Sequence, residues 1–476
     1  MAIIEESFSV ECDDRISQLP DDVLCLILSL LSFRERARMR LLCSRWKVLS
    51  QFTFDLRLNL LSIFGIYINS FSFNDMKEML RHKSKFLTAV TQILKLYTGR
   101  KLDTFEVSFP LEDDSASNVD QWISSALEHG VNRLKIDFGP PPMGTESYYT
   151  FPFHLLPDGK TSPLKHLSLK FCEVFVVPGN AIKFNSLVTL YIGHARINQV
   201  SLDSILSGCV NLEFLRIKMC IVPKICCITG ALGRLKRLIM EYCLHRGHIE
   251  LNSLPELTTF EYMGGVKKFT LRSLPSLEKM YFRFENLSSE GMHSVFINKL
   301  AEDVSHLQTL SLFLVPFEEP PMPASMTPFK YLKNLELFIV VSPNYDLLTI
   351  VHILNVSHVL QKFLLSLSCS LSPYISKDNL TSNASGIIDK RCINFHIKEV
   401  EICGFSDRFN CMELAIYLLD RAVSLKRMLI NFQGREYHGV DRWTYSKLFP
   451  MNLTREVTRD LLQKHNVDSK VEVIVN

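Results

Sequence analysis

The sequence predicts an α/β fold: a short helical N-terminal module, then a long solenoid of parallel strands whose convex side is irregular or briefly helical. Three observations carry this. A proline-initiated amphipathic helix lies within the first fifty residues, an L-x-x-L-x-L line returns in six clear and seven weaker copies, and successive copies in the middle of the chain are 20 to 25 residues apart. The 476 residues are 47% hydrophobic and 22% charged, which excludes a disordered chain. Length alone suggests about three domains, but a solenoid can absorb hundreds of residues.

The net charge of +3 is too small for wholesale nucleic-acid wrapping. Acids at Glu5 and Glu6 stand where a secretory signal needs positive charge, and no long apolar run follows. The longest uncharged stretch, 58–74, is too polar to cross a bilayer and reads as β structure. Thirteen cysteines without a C-x-x-C pair fit a reducing compartment, nucleus or cytoplasm, with no metal and no cofactor expected. Sequons at Asn286, Asn355, Asn379, Asn383 and Asn452 are then chance matches.

In the N-terminal module, Ser17 or Gln18 ends the preceding loop and Pro20 pre-sets the first helical turn. Asp21 and Asp22 then complement the positive end of the helix dipole. The apolar residues Val23, Leu24, Ile27, Leu28, Leu30 and Leu31 wrap more than half of this helix, so part of it is expected to meet another protein. A second segment, 34–49, reads as one continuous helix with Ala37, Leu41, Leu42, Trp46 and Leu49 as its apolar members.

The run Arg15-Ile16-Ser17, Leu19-Pro20-Asp21-Asp22-Val23-Leu24, Ile27 to Leu31, Arg34-Glu35 and Ser44-Arg45-Trp46 resembles the F-box of the plant F-box/leucine-rich-repeat/FBD family. It departs from the usual pattern at Met39 to Cys43. The resemblance implies docking onto a Skp-type adaptor, and through it a cullin scaffold, with Leu19, Pro20, Val23, Leu24, Ile27, Leu28, Leu41 and Trp46 supplying much of the apolar contact. The basic run Arg34, Arg36, Arg38, Arg40, Arg45 and Lys47 reads as a solvated face or an attraction to an acidic adaptor rather than a nucleic-acid patch.

The clear repeat lines begin at Leu164, Leu187, Leu212, Leu235, Leu307 and Leu332. The weaker ones begin at Leu102, Val131, Leu257, Leu277, Leu360, Ile397 and Leu425. From Leu164 to Leu277 the starts advance by 23, 25, 23, 22 and 20 residues, the leucine-rich-repeat period. Each unit offers a strand whose leucines cannot be buried alone, so stacked units share a core. Cys172, Cys220 and Cys243 fall at the Asn-or-Cys position of the repeat. Irregular convex turns are expected around the Leu251 to Leu257 and Leu271 to Leu277 duplicate. Short helices are expected at 119–128 and 347–354, where the repeats are longer.

Further along, Phe86 to Phe109 and Val119 to Ala126 look like the family's link between F-box and repeats, and Ile397 to Phe405, Glu413 to Leu419 and Leu425 to Ile430 are similar to its FBD segment. The expected organisation is an F-box at 13–55, a linker with first atypical repeats at 56–130, leucine-rich repeats at 131–395, an FBD-like cap at 396–436 and a tail at 437–476.

Neither G-x-S-x-G nor H-E-x-x-H is present, Gly264-Gly265 lacks phosphate-loop spacing, and the vicinal Cys226-Cys227 reads as packing rather than a nucleophile. No enzyme is expected. On the concave face the strands present Lys170, Tyr191, Phe214, Arg216, Lys218, Arg237, Glu241, Glu261, Lys279, Tyr281 and Arg283, six bases against two acids. This reads equally as a solvated face or as a site where Arg216 and Arg237 grip an acidic or phosphorylated target. The reading is a substrate-recognition subunit of an SCF-type ubiquitin ligase, with no nucleic acid and no membrane among its partners. The alternatives are a hormone-like small-molecule receptor and a ligase-independent repeat scaffold.

Overall fold

The computed structural model describes residues 15–16, 18–49, 55–67, 73–97, 101–140, 148–156, 162–176, 184–230, 232–244, 247–265, 268–284, 292–314, 327–341, 347–369, 396–406, 410–439, 442–445, 454–466 and 470–476. Ser17 and the sequons at Asn286, Asn379, Asn383 and Asn452 lie outside them. The chain divides into two compact units, Met1–Arg196 and Ile197–Asn476.

The first unit opens with α1 (Asp21–Leu30), α2 (Phe33–Met39) and α3 (Ser44–Leu49). Pro20 is the cap, with φ −57° and extended ψ, and the helix proper starts one residue later than Pro20 itself. The continuous helix expected over 34–49 is broken at 40–43. The break lets Trp46 and Leu49 fold back onto Leu24 and Leu28, burying a core that a straight rod could not close. Ser32 and Glu35 cap α2 reciprocally, at 3.3 and 2.8 Å.

Next come β1 (Asp55–Leu58), α4 (Leu60–Phe64), α5 (Phe73–Arg81), α6 (Lys83–Lys95), β2 (Thr104–Ser108), α7 (Ala116–Glu128), β3 (Arg133–Asp137), β4 (Tyr149–Thr150), β5 (His166–Lys170), β6 (Cys172–Val174) and β7 (Thr189–Gly193). The β reading of 58–74 is corrected. Asn59 accepts from the Ser62 amide at 2.7 Å, Ser62 reciprocates at 2.9 Å, and Gly65 ends α4 with φ 73°. Together these local caps outweigh the β-prone composition. Strands β1, β2, β3, β5 and β7 pair in parallel, stacking Leu56, Phe105, Leu134, Leu167 and Leu190 in one buried column and Leu58, Val107, Ile136, Leu169 and Ile192 in the next. Helices α6 and α7 back the long early repeats. Trp122 donates to Thr91 Oγ1 at 2.9 Å and Phe86 stacks on Phe109 at 4.4 Å.

The second unit contains β8 (from Arg196, Arg196–Ile197), α8 (Gln199–Gly208), β9 (Phe214–Lys218), β10 (Ile225–Thr229), β11 (Arg237–Glu241), β12 (His248–Asn252), β13 (Thr259–Gly264), β14 (Lys268–Arg272) and β15 (Lys279–Phe284). It continues with α9 (Met292–Asp303), β16 (Thr309–Leu314), β17 (Asn334–Val341), α10 (Val351–Asn355), β18 (Lys362–Cys369), β19 (Glu399–Cys403), α11 (Cys411–Arg421) and β20 (Arg427–Asn431). The chain closes with β21 (Arg435–Tyr437), β22 (Trp443–Tyr445), α12 (Arg455–His465) and β23 (Glu472–Val475). From β9 a second parallel run passes through β11, β13, β15, β16, β17, β18, β19 and β20 to β23.

The 56–130 region, read as linker and first atypical repeats, holds β2, and β1 stands at its start from Asp55; both join the parallel array. Two features differ from the sequence reading. The convex side at the tight repeats is not irregular: β10, β12 and β14 form a parallel ladder there, because twenty-odd residues are too few for a helix yet enough for a five-residue return strand. The 437–476 segment is not a tail, since β23 pairs with β20 and covers the edge that residues 396–436 leave open. The short helices expected over 119–128 and 347–354 are present, as α7 and as a 3₁₀ turn at Leu347–Ile350 running into α10.

The cysteines at the repeat position are buried. Cys172 and Cys220 each donate to the carbonyl two residues earlier at 3.3 Å, so the thiol packs in the core while adding a weak donor to a strand-end carbonyl.

Candidate functional site

Two surfaces are candidates, one in each unit. In the N-terminal module the inner face of α1 is Leu24 and Leu28, both fully buried against Trp46, with Leu19 and Ile27 beside them. The expectation that Leu24, Leu28 and Trp46 form accessible adaptor-facing surface is therefore corrected: they are the module's own core, needed because so short a segment has no other. What α1 leaves outward is Val23, Leu26 and Leu30, at helical spacing on one stripe. Leu30 is 80% exposed, and Leu41 and Leu42 in the α2–α3 turn are 85% and 66% exposed. Leu41 and Val23 are exposed, and Pro20 is exposed at the head of the stripe. Leu26, Leu30 and Leu42 were not assigned to that surface by sequence. Placing Trp46 and Leu49 on the inner side of the helix wheel would have revealed them.

The basic run is partly structural. Arg45 grips Asp21 at 2.6 Å and the Leu19 carbonyl at 2.7 Å, fixing the start of α1. Arg36 is buried and donates to the Asp55 carbonyl at 2.8 Å, its pKa lowered by desolvation. Arg34 reaches the Phe64 carbonyl at the end of α4 at 3.2 Å. Arg38 and Arg40 remain on the surface.

The concave residues divide between the units. In the first, Lys170 binds Asp137 at 2.7 Å and lies 5.8 Å from the centre of the Tyr191 ring. In the second, Arg216 donates twice to Glu241, at 2.9 and 2.7 Å, with Lys218 at 3.6 Å, and Arg237 grips Glu261. Glu241 and Glu261 are only 1% and 2% exposed. Each of these buried carboxylates is paired with an arginine, which offsets the cost of taking it out of water. Arg216 and Arg237 are thus intramolecular partners, which corrects the reading of them as free grips for an acidic target. Phe214 is half-buried, Arg283 lies 4.1 Å over the Phe313 ring, and Tyr281 is buried rather than presented. Lys279 is exposed.

Tyr281 is buried by a feature absent from the sequence reading. The antiparallel hairpin of β21 and β22 lies across the concave side of the second unit. Tyr437 and Trp443 pack with Met263, Tyr281, Phe313 and Phe338. Ser366 Oγ accepts from the Arg435 amide at 2.7 Å and donates to its carbonyl at 2.6 Å. The Arg435 guanidinium lies 3.9 Å over Trp443 and 3.7 Å from Glu401. At the hairpin turn, Gly439 has φ 78°, and a Cβ there would stand 2.5 Å from Met263 Cε and 3.0 Å from Glu241 Oε1. The left-handed φ favours glycine here, and a side chain would in addition require the Met263 tip to move.

The hairpin walls a chamber of about 660 Å³ against strands β13 and β15 to β20. Two rows cross its floor in register. Thr259, Lys279, Thr309, Asn334, Lys362, Glu399 and Arg427 form one, and Glu261, Tyr281, Ser311, Glu336, Leu364, Glu401 and Leu429 the other. Glu336 accepts from Ser311 Oγ at 2.7 Å, and desolvation raises its pKa. A volume of this size is ordinary for a ligand pocket.

Neither thiol of the vicinal pair is activated. Burial pushes Cys226 up to about 12, and burial together with Glu250 raises Cys227. Among the described residues no group of His, Cys, Asp or Glu is placed to hold a metal, and no helix is long and apolar enough to cross a membrane.

With the geometry in place, comparison with known proteins is specific. A family model for the At1g61320/AtMIF1 leucine-rich-repeat domain matches residues 93–468, and an F-box domain model matches 16–51. Among Arabidopsis thaliana proteins, "Putative F-box/LRR-repeat protein At1g56400" is 26% identical over 265 residues, 55% of this chain and 53% of its own length. "F-box/LRR-repeat protein At3g03360" is 26% identical over 325 residues, 64% of this chain and 60% of its own. "Putative F-box protein At3g29830" is 24% identical over 435 residues, 86% of this chain and 89% of its own. The first two matches thus span little more than half of each relative. The repeat match begins and ends beyond 131–395, as the strand array does.

Proposed function

Since the chain belongs to the F-box proteins that carry the At1g61320/AtMIF1-type leucine-rich-repeat domain, we propose that it is the substrate-recognition subunit of an SCF-type ubiquitin ligase. The N-terminal module docks on a Skp-type adaptor, the repeats hold a protein target, and the ligase assembly brings a separate conjugating enzyme to that target. The chain contributes effective concentration and no bond chemistry.

The observation that carries this reading is the exposed leucine surface of an otherwise packed helical module. Fully covering a leucine is worth about 1.5–3 kcal/mol, so Leu26, Leu30, Leu41 and Leu42 together favour a protein partner. The final segment from β19 to β20 is read as the FBD-like unit, and the free thiols of the described cysteines suit a nuclear or cytoplasmic setting.

The test is a pull-down with a purified Skp-type adaptor, comparing wild type with Leu30→Asp/Leu41→Asp and with Leu19→Ala/Pro20→Ala. The surface variant is expected to lose the adaptor while melting like wild type. A wild-type chain that retains no adaptor overturns the proposal.

A further inference from the structure

We infer that the chamber under the β21–β22 hairpin receives a lysine or arginine side chain of the target. This inference rests on the receptor reading above and reverses the polarity suggested by the sequence. Apart from Lys279, the basic residues lining the chamber already have carboxylates: Arg237 has Glu261, Lys362 has Glu399 at 2.8 Å, Arg427 has Glu472 at 3.8 Å and Arg435 has Glu401 at 3.7 Å. Glu336 differs. It lines the chamber floor with one hydrogen bond, from Ser311, and among the described residues no cation stands within 4.0 Å of it.

A desolvated carboxylate facing an open chamber is an attachment point for a cation. Tyr437 and Trp443 in the opposite wall offer aromatic surface along which the methylene stem of a basic side chain can lie. An acidic group in the same place would meet Glu336 and Glu401. The charges facing Glu336 are Glu401 from β19, Arg435 from β21 and Lys279 from β15. Lys279 is the one that opposes an incoming cation while remaining exposed.

The test uses the full chain co-purified with its adaptor and four fluorescein-labelled nonapeptides of Gly-Ser background with lysine, arginine, norleucine or glutamate at the centre, read by fluorescence anisotropy. The lysine and arginine peptides are expected to bind at least about tenfold more tightly than the other two. Glu336→Gln, which keeps the Ser311 bond and the shape, is expected to remove that difference, and Glu336→Asp to retain part of it. Lys279→Ala is expected to tighten the lysine peptide several-fold.

Equal binding of the norleucine and lysine peptides, or a Glu336→Gln variant of wild-type melting that still discriminates, overturns the inference. Displacement of the lysine peptide by n-butylamine at concentrations matching the peptide's own also overturns it, since the occupant is then a free amine rather than a protein side chain. Adaptor retention is scored in the same preparations, so failure of the ligase reading is seen separately.

Discussion

Tyr437 meets Tyr281 across 156 residues of chain: their rings stand 4.5 Å apart edge to face, and the Tyr281 hydroxyl donates to the Tyr437 carbonyl at 3.3 Å. A tyrosine that the repeat pattern places on the open side of a strand is thereby buried, and burial raises its pKa. The concave side of the second unit already holds a polypeptide, its own.

Gly439→Val is expected to lift the hairpin without unfolding the repeats. The added side chain enters the space of Met263 and Glu241 at a left-handed φ, a strain of about 1–3 kcal/mol. Hydrogen exchange over 435–445 should rise sharply while the main melting transition stays near wild type. Unchanged protection there contradicts the docking described.

Arg216→Ala leaves Glu241 buried with Lys218, among the described residues, as its remaining cation and is expected to cost about 3 kcal/mol in urea unfolding. Arg216→Met/Glu241→Met should recover most of that loss, because the desolvation penalty and the attraction disappear together. Charge reversal at Arg216 or Arg237 therefore reports stability and not target polarity.

Two leucines two positions apart in α1 should behave oppositely. Leu28→Ala removes core volume and is expected to cost about 2–5 kcal/mol of module stability. Leu30→Asp is expected to change stability by less than about 0.5 kcal/mol while weakening adaptor capture at least about tenfold. Thermal melts and pull-downs on the same two proteins separate the effects.

Glu336 carries a pH signature. Burial raises its folded pKa above the ordinary carboxylate value of 4.5, with Ser311, Arg435 and Lys279 lowering it and Glu401 adding to the rise. Its contribution to stability is therefore fully present below pH of about 4.5 and is lost as pH rises through the folded value. Glu336→Gln should melt above wild type at neutral pH, by about 1 kcal/mol, and the two should converge in acid.

The repeat array was legible because its signal is local and periodic: Leu215, Leu238, Phe260 and Met280 stack in the register their spacing implies. The N-terminal helices were legible for the same reason, through Pro20, Asp21 and the leucine spacing. The break at 40–43 was not, since nothing in Arg40 to Cys43 forbids a helix and only the packing of Trp46 on Leu24 imposes the turn. The hairpin was hidden for a different reason. Its strands are three residues each, and its stabilising partners, Tyr281, Phe338 and Ser366, lie 69 or more residues away in sequence. A candidate site made of one or two residues from each of seven strands has no sequence motif at all, and the charge count misled because it could not see that Arg216 and Arg237 had been answered from the next strand.

The buried cysteines of the repeat column have one more use. Thiols react as thiolates, and burial pushes Cys243 up to about 11 and raises Cys172 as well, so neither is open to an alkylating reagent while its repeat is closed. Cys172, Cys220 and Cys243 sit at one position in separate repeats. Mass spectrometry of their labelling over time would then act as a set of clocks along the solenoid, each timing the opening of the turn that contains it.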